Sequence, residues 1–230
     1  MSALPSPTAF TAPRRALTEA EWLACHDPAE LLAGLPRKPS ERQLLLFACA
    51  CCRRIGDLLT GPLSRKAIEL AERFADGTAG RAELVAAAED AAGAFYRSSF
   101  RYAVKHLAGA RDPEGAARVA FWAAHGAAIL AGNVAVWEAE RAAQCRFLHC
   151  VLGNPFRPVA VDPAWLSWHG GIVGTVARSI YDLRCYVEMP VLALALEQAG
   201  CDNADLLAHC RQPGDHVRGC FVLDLLLDRG

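Results

Sequence analysis

The sequence has no run in which apolar and polar residues alternate, so nothing in it calls for a β-sheet. It has no surplus of charge either. Its 24 basic and 25 acidic residues leave a formal charge of -1. Both signs recur in every third of the chain, so no basic face is offered to a phosphate backbone and nucleic acid is not the expected partner. Arg14-Arg15 and Arg53-Arg54 are too short to change that. Lysine is scarce, with arginine outnumbering it 21 to 3, which reads as a GC-rich coding sequence and not as function. The N-terminal MSALPSPTAFTAPRR places prolines where a signal peptide needs its apolar core, and its arginines follow that segment, so a cytoplasmic protein is expected. In that setting the ten cysteines are read as reduced thiols or ligands and not as a disulfide framework.

Signatures of reaction are missing as well. HGGIVG, residues 169–174, lacks the Lys-Ser/Thr and the preceding strand of a phosphate loop. There is no Glu-x-x-His for a di-iron bundle, and Glu89, Asp90, Glu138 and Glu140 read as wet-face residues. The types needed for a Cys-His-acid nucleophile are present without any family signature. Val119 to Trp137 is uncharged over nineteen residues, near the length of a membrane span. It is mostly alanine and contains His125, Gly132 and Asn133, so it reads as a helix buried in a bundle.

What remains is a helical chain. At 230 residues with 53% hydrophobic and 21% charged residues, it can bury a core without staples. The expected fold is all-α, a multi-helix bundle with long Ala-rich antiparallel central helices and shorter C-terminal helical pairs. Residues 1–17 are expected to form a mobile tail and 18–230 a single domain, with a subdivision after residue 153 as the alternative. Capping boxes at Thr18/Glu21 and Ser40/Gln43 start helices, and Asp27-Pro28, Asp112-Pro113 and Asp162-Pro163 start others. Further helices are expected over 81–110, 113–152 with a break near Gly132-Asn133, 173–184, 190–198, from an Asp202 cap to 211, and 217–227.

Three of the cysteines lie on the helix after Ser40. Leu44, Ala48, Cys51, Ile55 and Leu58 form one apolar stripe, with Leu45, Cys49 and Cys52 beside it, which describes a helix buried on most sides whose thiols act as small hydrophobes. The alternative is that Cys49 and Cys52 supply thiolates to a metal or a redox couple.

The more ligand-like spacing is C-terminal: Cys201, then His209-Cys210, then His216-x3-Cys220. His216 and Cys220 fall one turn apart if the last helix begins early, and soft ligands of this kind suit tetrahedral zinc. His209 and Cys210 are adjacent and so point about 100° apart on a helix. Cys145-x3-His149, with Cys150 beside it, is a second such pair that could join either group. Its plainer reading is a packed thiol and a histidine favoured by a helix C-terminus.

FACACCRRI (47–55), ERAAQ (140–144), GNPFRPV (153–159), DPAWL (162–166), AGCDNADLLAHCR (199–211) and HVRGCFVLDLLL (216–227) together resemble a paralogue-rich family of uncharacterised bacterial proteins. The resemblance covers most of residues 18–227. It implies an intracellular bacterial origin and one continuous unit, and it carries no substrate. The expected function is therefore a non-enzymatic helical module that binds another protein. The alternatives are a zinc- or other metal-binding protein using the C-terminal Cys/His set, and a thiol-dependent enzyme.

Overall fold

The structure, a computed structural model, describes residues 15–59, 61–94 and 100–229. Among these it contains thirteen α-helices and no strand, an all-α multi-helix bundle. The chain divides into two compact units, one ending at Leu148 and the other starting at His149. The sequence offered a joint after Gly153; this boundary instead falls inside the last turn of a helix.

The first unit contains α1 (Glu19–Ala24), α2 (Pro28–Ala33), α3 (Glu41–Arg54), α4 (Pro62–Ala75), α5 (Arg81–Ala94), α6 (Phe100–His106), α7 (Pro113–Ala131) and most of α8 (Val134–Leu152). The Thr18/Glu21 and Ser40/Gln43 capping boxes both form, and Asp27 and Asp112 each cap the helix that follows. Each supplies acceptors for amide groups that have no partner in the first turn. The expected tail is described only from Arg15, and the part of the 81–110 segment carrying Phe95 and Tyr96 also lies outside the described residues.

α3 is the centre of this unit. It packs on α4 and α7, and α7 in turn contacts α2 and α6. Every residue from Leu44 to Cys52 is buried. Charge appears only at its two ends: Arg42 Nη2 pairs with Asp76 at the start, and at the finish Arg53 grips the buried Glu72 through Nε and Nη2 and Arg54 Nε donates to Glu140 at 2.8 Å. Alanines 116, 117, 120, 123, 124, 127 and 128 line the buried side of α7, so neighbouring helix axes can come close. Gly132, at φ 60°, ends α7, and α8 returns along it, with Gln144 Nε2 donating to Ala120 O at 2.8 Å and the Trp137 ring edge-on to Phe121. The uncharged 119–137 run is thus broken by a turn. No helix among the described residues is long and apolar enough to cross a membrane.

The second unit begins with the end of α8 and contains α9 (Pro163–Ser167), α10 (Ile172–Leu183), α11 (Met189–Gln198), α12 (Ala204–Arg211) and α13 (Phe221–Leu226). α10 contacts α9, α11 and α13, and α11 packs on α12. Ile180, Tyr181, Met189, Leu192, Leu196, Leu206, Val222 and Leu223 fill the space between them. Two boundaries differ from expectation. α12 is capped by Asn203, whose side chain accepts from the Leu206 amide, and not by Asp202. The last helix starts at Phe221 instead of Val217, because Gly219 adopts φ 86°, a left-handed turn that cannot belong to a right-handed helix.

Candidate metal centre

Four side chains converge within the second unit. Cys150 comes from the last turn of α8, His209 from the last turn of α12, His216 from the loop between α12 and α13, and Cys220 from the N-cap of α13. One ligand atom of each lies within 4.8 Å of all the others. Both cysteines are 0% exposed and both histidines 9%.

Local sequence explains how each arrives. Gly153, at φ 64°, ends α8 just after Cys150, and a Cβ there would stand 3.0 Å from the Phe221 ring, so only glycine lets α13 sit against the end of α8. The Phe221 ring also lies 4.7 Å from the His209 ring. His216 and Cys220 meet by a turn, closed by the Cys220 amide donating to Val217 O at 3.0 Å, and not by the helical i,i+4 relation expected from their spacing.

His209 Nε2 stands 3.2 Å from Cys220 Sγ. The two imidazoles are perpendicular, at 89° with centroids 4.8 Å apart. His216 Nε2 is 3.3 Å from Gln212 O. A carbonyl only accepts, so the ring proton sits on Nε2. This leaves Nδ1 of His216 as a lone pair, buried and without a hydrogen-bond partner. The Val217 amide donates to Cys150.

Burial would raise the Cys220 thiol, but the neighbouring Cys150, His209 and His216 side chains outweigh it and hold it well below the ordinary thiol range. Cys150 moves the other way, pushed well up by burial and by the hydrogen bond it shares with Cys220. Of the two thiols, Cys220 is thus the more readily ionised and Cys150 the less.

This donor set fits zinc. With Zn–S near 2.3 Å and Zn–N near 2.0 Å, tetrahedral ligand atoms stand about 3.3–3.8 Å apart. The His209–Cys220 edge, at 3.2 Å, needs to open by only a few tenths of an ångström, and pairs near the 4.8 Å limit need to close by about 1 Å. The buried lone pair on His216 Nδ1 has no hydrogen-bond partner, and a cation would accept it.

Of the sequence candidates, His209, His216 and Cys220 are brought together, and Cys201 and Cys210 lie outside the group. Cys150 completes it. The sequence places Cys150 beside the Cys145–His149 pair as a candidate to join the C-terminal group, and it is Cys150, not that pair, that does so. No other group of three or more His, Cys, Asp or Glu converges in this way among the described residues. Cys49, Cys52 and Cys145 are buried in the first unit. Burial pushes Cys52 up to about 12 and raises Cys145 strongly, while Cys49 Sγ faces Ile68 O at 3.9 Å. His149, on α8 beside Cys150, is not part of the group.

No family model, curated protein or solved structure matches this chain. The functional reading therefore stands on the site itself.

Proposed function

We propose that this is a zinc-binding helical protein whose second unit is tied together by a structural Cys150–His209–His216–Cys220 site. The observation that carries the reading is the buried, unpartnered Nδ1 of His216 beside two cysteines and a second histidine. Four protein ligands close a tetrahedron and leave no open position for a substrate, which is the arrangement of a structural centre. A centre of this kind holds a surface in shape, so it accords with a non-catalytic module that binds another protein. All ten cysteines are free thiols, which supports placing the protein in a reducing compartment, the cytoplasm.

A thiol enzyme is the competing reading, favoured by the 3.2 Å His209–Cys220 contact. A nucleophile must reach its substrate, and Cys220 is 0% exposed. Metal analysis of protein purified without an affinity tag separates the two. One zinc per chain is expected, lost in Cys150→Ser and in Cys220→Ser. A native chain without stoichiometric metal, in which Cys220 reacts rapidly with iodoacetamide, would leave the thiol enzyme standing.

A further inference from the structure

We infer that the two histidines bind the metal through different ring nitrogens, His209 through Nε2 and His216 through Nδ1, with the Gln212 main-chain carbonyl as the group that fixes the choice at His216. This rests on the zinc reading above and specifies its coordination.

For His209 the geometry is direct. Its Nε2 is the atom 3.2 Å from Cys220 Sγ, so Nε2 is the nitrogen that faces the group, and with a metal bound there the ring proton is carried by Nδ1. For His216 the assignment follows from the acceptor on the other side of the ring. Gln212 O, at 3.3 Å, takes the Nε2 proton, and the lone pair is left on the buried Nδ1 that has no partner. A ring nitrogen held by a carbonyl in this way is the usual means by which an outer group sets the tautomer of a metal-binding histidine.

The chain layout makes the same choice economical. Nδ1 is the nitrogen nearer the backbone, and His216 sits in a loop that turns within four residues to Cys220. Its ligand atom therefore needs a short reach. Gln212 is the C-cap of α12, the helix whose last turn carries His209. One helix end thus places both imidazoles, one by carrying it and one by accepting its proton. The residue after His216 adds a further contact, since the Val217 amide donates to Cys150. Two thiolates and two neutral imidazoles around Zn²⁺ carry no net charge, as a site buried to this degree requires.

Long-range proton–nitrogen correlation spectra of the zinc-loaded, nitrogen-15-labelled full chain test this. Nε2 is the ring nitrogen that correlates with both carbon-bound ring protons. It should be the metal-bound nitrogen in His209 and the protonated one in His216. Zinc bound with Nε2 as the ligand atom in both rings would overturn the inference and leave the zinc site intact. A chain that takes up no zinc would overturn both.

Discussion

Around Cys220 the neighbours compete with solvent exclusion, and the neighbours win: full burial favours the thiol, while a cysteine and two imidazoles favour the thiolate. A buried thiol that ionises needs a cation or several donors beside it, and Cys220 stands among the three other side chains that would hold a metal. The glycine that positions its partner is as specific as the ligands. Gly153 combines φ 64° with a Cβ position 3.0 Å from Phe221, whereas Gly200, at φ 89°, has nothing within 4 Å. Gly200→Ala should cost about 1–2 kcal/mol from backbone strain alone, and Gly153→Ala about 1–3 kcal/mol more from the displaced ring. Urea denaturation of the two variants checks the order. Equal costs would mean that Phe221 does not hold the end of α8.

Among the elements, α3 and the α12–α13 loop show what sequence patterning can and cannot reveal. The Ser40/Gln43 box and the stripes of α3 were legible because caps and helical periodicity are local signals. The same stripes place Cys49, Cys51 and Cys52 in the core, at 1%, 1% and 0% exposure. The α12–α13 loop was misread for the complementary reason. His216 and Cys220 have helical spacing, but Gly219 in a left-handed conformation replaces the helix with a turn, and a single glycine in a sequence does not announce its φ. Cys150 was the hardest to place, since nothing local tells which distant element will pack on the end of α8. Thiol labelling tests the α3 assignment. Cys25 and Cys185, both partly exposed, should react first at mildly alkaline pH. Cys52, raised to about 12 by burial, should stay protonated and inert until the chain unfolds, with Cys49 and Cys51 similarly shielded. Fast labelling of the α3 thiols in the folded chain would contradict their place in the core.

For the molecule as a whole, the zinc reading implies that the two units are stabilised by different means. The first buries a long Ala-rich helix pair and the α3 core and has no convergent ligand set among its described residues. The second is small, built largely from helices of twelve residues or fewer, and small units commonly depend on a metal or other staple. Zinc held a thousandfold above its dissociation constant contributes about 4 kcal/mol to the folded form. Chelation should therefore accelerate amide exchange in α12 and α13 while leaving α3 and α7 unchanged. A uniform effect, or none, would mean that the site does not support the second unit.

The most direct measurement is zinc-edge X-ray absorption on the stoichiometric, untagged protein. A structural site made by Cys150, His209, His216 and Cys220 predicts a first shell of two sulfurs at about 2.3 Å and two nitrogens at about 2.0 Å. A shell of oxygen and nitrogen alone, or a protein that carries no zinc, would contradict it.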